Sequence, residues 1–355
     1  MKILHTADLH LGSPLSSRLP AEKARLRRRE LLGSFGSIAA LARKEKCEAV
    51  ILAGDIFDSA EVSPSTVKEV MAVISGTPET AFLAIEGNHD ESIFRPVGTG
   101  LPENLILFGK EWGYHRIGNV IFAGRSETKR NMFSSLTLSP EDRNVLILHG
   151  DVADHSDEDY KIGIGELREL PVDYVALGHY HSYREYPISA RGCAVYAGTP
   201  EGRGFDELGE KGVVIVELDG TSHAHRFVKN AKRTLHEITI PTDDITSEYR
   251  LDAAIKEATR GIPYSDIVRI LLIGEHDMET SFDTDAIRLR HSDAFFHLEC
   301  RDDSRVRFDI EKIKLDRTLK GEFIRGVLAD ESLSGSDKQK IIAMGLGALR
   351  GDDID

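Results

Sequence analysis

Five short apolar runs in the first half of the chain end alike. KILHTADLH, AVILAGDIFD, AFLAIEGNHD, NVLILHGD and DYVALGHYH each pass from strand-type residues into a cluster of Gly, His, Asp or Asn. Two later runs, AVYAGTP and GVVIVELD, share the apolar texture without the metal-type residues. Between several of the runs the period changes to that of a helix. Leu32, Phe35, Ile38, Ala39 and Ala42 fall on one face of residues 31–46, and Val67, Val70, Met71 and Ile74 do so in 66–74. Strands alternating with helices predict an α/β domain whose strands are buried on both faces. In open α/β sheets ligands collect beyond the carboxyl ends of the strands. All five polar clusters hold that position.

From about Lys232 the texture changes. HEITI and VRILLIG alternate or run apolar like strands, and LDAAIKEATRG reads as a helix closed by Gly261. Residues 232–316 are therefore expected to form a smaller α+β domain, following a first domain over 1–231. In the remaining segment, 317–355, Leu319, Phe323 and Val327 lie four apart. Ser336 and Gln339 have capping-box spacing there, and Ile342, Leu346 and Leu349 form a stripe. Two short amphipathic helices are expected in this tail, able to pack on their own domain or to dock in a partner's groove. A length of 355 residues agrees with more than one core.

The formal net charge of -14 excludes a protein that coats nucleic acid or anionic membrane by bulk charge. One local exception is RLPAEKARLRRRE, from Arg18 to Glu30, whose basic residues suit either the solvated face of a helix or contact with phosphate. No run reaches the roughly 18 to 20 apolar residues of a membrane span, and MKILHTADLHLG lacks the apolar core of a signal peptide. Cys47, Cys193 and Cys300 are far apart and without CxxC spacing, which predicts reduced structural thiols and argues against a zinc knuckle. A cytoplasmic, membrane-free location is expected.

At the end of an extended strand, residues two apart point the same way. Asp8 with His10, and His179 with His181, can therefore chelate as pairs. Adding Asp55, Asn88 and His149 makes seven oxygen or imidazole ligands at five strand ends. That is more than one ion takes from protein alone; two ions about 3.5 to 4 Å apart, bridged by a carboxylate, fit the count. Asp55, on the middle strand end, is the natural bridge. Ligation without thiolate suits Mn2+, Fe2+ or Zn2+ better than Ca2+. Such a pair clamps a phosphoryl group and lowers the pKa of an attacking water. His89, beside a ligand, suits a general acid for the leaving oxygen. Asp90 is placed either to orient that imidazole or to cap the turn.

In order and in spacing, DLHLG, GDIFD, GNHD, LHGD and GHYH resemble the calcineurin-like metallophosphoesterases across residues 3–181. The resemblance implies a four-layer αββα sandwich of two β-sheets flanked by helices. It assigns Asp8, His10, Asp55 and His181 to one metal, and Asp55, Asn88, His149 and His179 to the other, with His89 as acid. HTADLHLGSPL, AGTPEGRGFDELGEKGVVIVELD and LKGEFIRGVL with GLGALRG are similar to DNA-repair exonucleases of the Mre11 and SbcD type, especially a YhaO-like branch. That implies Mn2+-dependent cleavage of DNA phosphodiesters, a capping domain, and a Rad50- or SMC-like ATPase (SbcC in the bacterial pair) engaging the tail. Gly150 follows His149 where Mre11 proteins often carry glutamine. ESIFRPVGTGLPENL lacks the long helices by which those proteins dimerise, so a homodimer has no support here. Arg203 and Lys211, in GRGFDELGEKG, are either substrate-phosphate contacts or ordinary hairpin charges. Two other functions fit the chain: a nucleotide or cyclic-nucleotide phosphodiesterase of the same chemistry, and a non-catalytic subunit of an ATPase complex.

Overall fold

A computed structural model describes residues 1–15, 19–59, 61–89, 100–154, 161–220, 222–277, 280–307 and 310–349. The chain divides into two compact units, Met1–His236 with Ser265–Ile267, and Glu237–Tyr264 with Val268–Asp355. Elements of the first run β1 (Lys2–Thr6), α1 (Ala21–Glu45), β2 (Ala49–Ala53), α2 (Pro64–Ser75), β3 (Ala81–Ile85), β4 (Leu105–Leu107), β5 (Gly113–Ile117) and β6 (Val120–Gly124). There follow β7 (Arg143–His149), β8 (Asp151–Ala153), β9 (Lys161–Gly163), α3 (Ile164–Arg168), β10 (Tyr174–Gly178), β11 (Arg184–Pro187), β12 (Cys193–Tyr196), β13 (Gly212–Asp219) and β14 (Ser222–Lys229).

These strands form two six-stranded sheets, ordered β14-β13-β1-β2-β3-β4 and β11-β12-β10-β7-β6-β5. Strands β1 to β4 are parallel, as are β6, β7, β10 and β12; β13, β14, β5 and β11 run antiparallel to their neighbours. The period of two along each strand sorts its residues between two cores. In β2, Val50 and Leu52 face α1 and α2, while Ala49, Ile51 and Ala53 face the second sheet. In β7 the same alternation sends Val145 and Ile147 between the sheets and Leu146 and Leu148 to the far side. Both faces of every central strand are thus covered, and AVILA is apolar throughout because each sheet lies inside a four-layer sandwich. The outer layer on the second sheet is slight, formed by the short α3 and the 3-10 turn Met132–Ser135 with Leu136, Leu138 and Leu170.

Helix α1 begins ten residues before the periodic stretch that announced it, because the basic run from Ala21 onward is itself helical. Arg27 on that run is fully buried. It donates to Glu30 Oε2 (2.8 Å), Glu201 Oε2 (3.0 Å) and the Gly202 carbonyl (2.9 Å). Arg233 forks onto both oxygens of Glu30, at 2.8 and 2.6 Å. This part of the basic segment is thus neither a solvated face nor a phosphate contact.

In the second unit, β15 (Leu235–Pro241), α4 (Glu248–Ala258), β16 (Ile267–Ile273), β17 (Glu275–Asp277), α5 (Thr284–His291), β18 (His297–Asp302) and β19 (Arg305–Arg307) build an α+β core. Its sheet is ordered β15-β16-β18 and packs Leu251, Ile255 and Ile287 against Val268, Ile270 and Leu298. Gly261, at φ +85°, turns the chain after α4. The end of the chain forms α6 (Ile310–Ile313), α7 (Leu319–Ala329) and α8 (Gly335–Ala348). They share a small separate core of Ile313, Ile324, Ile342 and Leu346. The cap of α8 is Ser334, whose Oγ accepts from the Asp337 N–H at 3.2 Å. Ser336 lies inside the helix, so the expected Ser336 and Gln339 box is displaced by two residues. Among the described residues no helix is long and apolar enough to cross a membrane.

Candidate metal centre

The carboxyl ends of β1, β2, β3, β7 and β10 carry the candidate ligands, and the chain leaves β1, β2 and β10 through left-handed bends. Asp8, His10, Asp55 and His179 have φ of +52°, +45°, +49° and +103°. Side chains other than glycine adopt this region at a cost, and such residues concentrate at functional sites. The glycines beside them leave space. A Cβ on Gly178 would stand 1.9 Å from the Ala53 carbonyl oxygen, one on Gly87 2.1 Å from Asp55 Oδ1, and one on Gly54 2.3 Å from His149 Nδ1.

Two ligand groups result. Asp8, His10 and His181 form one; Asp8, Asp55 and His149 form the other, with ligand atoms inside each group within 4.8 Å of one another. Asp8 belongs to both. Asp55 Oδ2 also spans them, 3.8 Å from His10 Nε2 and 3.4 Å from His149 Nε2. Asn88 Oδ1 approaches His149 Nε2 at 3.1 Å. His179 stacks edge-on to His149, with centroids 5.3 Å apart, but its Nε2 points to Asp151 Oδ1 at 3.5 Å, and it is in neither group. Six of the seven expected ligands therefore converge closely and the seventh stands at the margin.

The donor set requires positive charge. The Ala53 carbonyl, 2.9 Å from His149 Nδ1, can only accept, so Nδ1 carries a proton and Nε2 is the nitrogen that would ligate, facing Asn88 Oδ1 and Asp55 Oδ2. Similarly, His10 Nε2 and His181 Nε2 meet at 3.2 Å, with His181 Nδ1 held by Glu207 Oε1 at 2.8 Å. Asp8 Oδ2 is buried with no hydrogen-bond partner. Facing lone pairs and an orphaned buried carboxylate oxygen fit divalent cations, which these residues would hold.

The model of the Calcineurin-like phosphoesterase superfamily domain matches residues 1–221. The chain belongs to this superfamily. Three relatives refine the neighbourhood of this phosphoesterase. It is 27% identical over 299 residues to the DNA double-strand break repair protein Mre11 of Methanosarcina acetivorans, covering 79% of this chain and 47% of that protein. It is 28% identical to the SbcD component of the SbcCD nuclease of Bacillus subtilis, covering 61% of this chain and 66% of the relative. With the Uncharacterized metallophosphoesterase YhaO of Bacillus subtilis it shares 25% over 64% of this chain and 60% of the relative. In each case the match spans less than two thirds of the relative's length.

Around the phosphoesterase ligands lies a second ring that the motifs did not announce. Asp58, the last residue of GDIFD, places Oδ1 3.4 Å from His10 Nδ1, and Glu207 holds His181. Arg203 joins them: it donates to Asp58 Oδ1 at 3.0 Å and to Glu207 Oε1 at 2.7 Å. Lys211 is buried and donates to the His181 carbonyl at 2.9 Å. Both cations thus face into the ring. His89 N–H donates to Asp55 Oδ1 at 3.0 Å, and its Nδ1 lies 3.1 Å from the Asp58 carbonyl. That carbonyl, an acceptor only, places a proton on Nδ1, and Nε2 has no hydrogen-bond partner among the described residues. Asp90 and most of the following ESIFRPVGTGLPENL stretch lie outside the described residues.

Burial works against charge here, and the neighbours answer it unequally. Burial alone would lift Asp55, but the hydrogen bond and charge of His149 and the His89 N–H hold it far below the usual carboxylate range. For Asp8 burial wins and its pKa is raised. Burial would lower His149, yet Asp55 and Asp8 carry it to about 9, so a divalent cation held by Nε2 would take the place of a proton there. Glu207, also penalised by burial, is held at about 2 by His181 and Arg203.

Proposed function

We propose that this chain is a two-metal phosphodiesterase acting on DNA. The observation that carries the chemistry is the pair of ligand groups sharing Asp8 and spanned by Asp55 Oδ2. Two divalent cations, Mn2+ in the first place and Fe2+ or Zn2+ as alternatives, would neutralise a bound phosphodiester and activate a water for in-line attack. Asp8, His10, Asp55 and His181 would hold one ion, and Asp55, Asn88, His149 and His179 the other. His89, as the imidazolium with its Nδ1–H held by the Asp58 carbonyl, would give its Nε2 proton to the leaving oxygen and be left as the Nδ1–H tautomer; that carbonyl takes the orienting task otherwise foreseen for Asp90. Arg203 and Lys211 set the rim through Glu207, Asp58 and His181, and any substrate phosphate they touch is met from those positions.

DNA is favoured as substrate by the named relatives and by the shape of the site. Two clefts flank the ligands, of about 110 Å³ beside Asn88 and His149 and about 200 Å³ beside Asp58 and Arg203. Both lie along the edge on which the ligands converge, where an extended strand could cross. Tyr180, exposed between the two histidines of GHYH, has the Arg184 guanidinium 5.9 Å from its ring, a surface on which a base can stack. In this reading residues 1–231 are the nuclease domain, 232–316 the capping domain and 317–355 the segment engaging a Rad50- or SMC-like ATPase, in the cytoplasm, where the three free cysteines stay reduced.

The test is cleavage of labelled duplex and single-stranded DNA by the purified chain in Mn2+, beside a small chromogenic diester. Cleavage of DNA that chelation abolishes and Mn2+ restores is expected. Rapid turnover of the small diester with no DNA cleavage, with or without an ATPase partner, would leave the nucleotide phosphodiesterase reading. No activity on either, in a chain that retains metal, would leave the structural-subunit reading.

A further inference from the structure

A second H-x-H pair lies in SHAHR, on β14 at the edge of the first sheet. His223 and His225 pair with Leu218 and Val216 of β13. Both of those partners point into the core between the sheets, so both imidazoles stand on that inner face. Across the gap, on β12 of the second sheet, Cys193 points into the same core. The three side chains offer ligand atoms within 4.8 Å of one another. Cys193 Sγ is 3.7 Å from His225 Nδ1. Tetrahedral zinc, with Zn–S of about 2.3 Å and Zn–N of about 2.0 Å, sets its ligand atoms roughly 3.6 Å apart. The two imidazole planes are parallel within 2°.

The surroundings are those of a ligating histidine. The other nitrogen of His225, Nε2, is 2.8 Å from Glu185 Oε2, and that oxygen also accepts from the Tyr183 hydroxyl at 3.1 Å. A carboxylate on the far nitrogen orients the ring and makes its partner nitrogen a better donor. The cations nearby are neutralised: Arg143 and Arg191 both pair with Asp173, each at 2.9 Å. Cys193 pairs with Tyr174 at the start of β10, whereas the phosphoesterase ligands follow the end of that strand at Gly178. The cluster is therefore at the opposite end of the strands from the phosphoesterase ligands.

We propose that Cys193, His223 and His225 form a separate zinc site that clips β14 to the second sheet, with water in the fourth position. Thiolate and imidazole select Zn2+ over Mn2+, and the phosphoesterase ligands contain no thiolate, so two kinds of ion would be sorted to the two ends of one sandwich. Absence of CxxC spacing does not bear on it, because the ligands come from different sheets.

The full-length chain is loaded with Co2+ and its near-ultraviolet absorption recorded. A thiolate-to-Co2+ charge-transfer band is expected, bleached by Zn2+, lost in Cys193→Ser and kept in Cys300→Ser. In Glu185→Gln the band should need about tenfold more Co2+. Should Cys193→Ser fail to fold, alkylation of the wild-type chain gives the same decision: Zn2+ should slow labelling of Cys193 several-fold, read by peptide mapping, and leave Cys300 unchanged. A folded, Co2+-saturated chain without the band, a band that survives Cys193→Ser, or Cys193 labelling indifferent to Zn2+ overturns the site.

Discussion

Gly178 is the tightest point of the metal centre. Any side chain there would press on the Ala53 carbonyl, the same atom that fixes the His149 tautomer. Gly178→Ala is therefore expected to cost about 1–3 kcal/mol of stability by overpacking. It should also weaken binding of the ion beside His149, which metal titration of the folded variant reads directly. His89 poses the opposite case, an exposed ring with one nitrogen tied to the Asp58 carbonyl. Its loss should leave the ligands in place: His89→Gln should retain its metal and lose at least 100-fold in kcat on a diester with a poor leaving group. A much smaller loss with an activated leaving group, which needs no proton, would identify the missing step as protonation. Asp8, His10 and the GHYH histidines were legible as metal-type residues at strand ends, but not through extended two-residue spacing: β1 stops at Thr6 and β10 at Gly178, and Asp8, His10 and His179 lie beyond them in left-handed backbone. Glu207 and Asp58 were not. Glu207 reaches His181 from 26 residues away, and Asp58 receives Arg203 from 145 away, separations that no local pattern encodes.

Among the elements, α1 departs most from its sequence pattern. Its apolar period begins near Leu31, but the helix starts at Ala21 because Arg27 and Glu30 are buried in an ion cluster. A charge run alone reads as solvated, and the partners Glu201 and Arg233 are remote in sequence, so this reversal was not legible. The cluster should be acid-sensitive. Burial opposes the charge of Glu30, but Arg233 and Arg27 draw its pKa from 4.5 down to about 2. A folded-state pKa below the unfolded one stabilises at pH above the unfolded value. That contribution, on the order of 3 kcal/mol, is lost as pH falls through the interval. Urea unfolding between pH 5 and 2.5 should show the wild type losing more stability than Glu30→Gln, already destabilised at neutral pH. Equal slopes would mean that Glu30 carries no such linkage. The tail behaves as its own element, since α7 and α8 bury Ile324 and Leu346 in a core of their own. Ile324→Asp should unravel that pair by amide exchange and leave hydrolysis of a small diester unchanged.

For the molecule as a whole the controlling quantity is charge. A net charge of -14 repels DNA at long range, so under the proposed function binding would have to come from the metal centre and a few close contacts. Near the centre the cations are largely committed: Arg203 to Asp58 and Glu207, Lys211 to the His181 carbonyl. If only two or three phosphates are neutralised, the slope of log K against log salt should be about -2 to -3. The measurement is DNA binding by the metal-loaded chain between low and physiological salt. Replacing Arg203 by Ala should flatten the slope by about one if Arg203 meets a phosphate. If Arg203 only braces Glu207 and Asp58, the slope should stay the same while affinity for the ion beside His181 falls. A wild-type slope near -6 would require a cationic track well beyond this edge, and the DNA path would then have to be sought on another face.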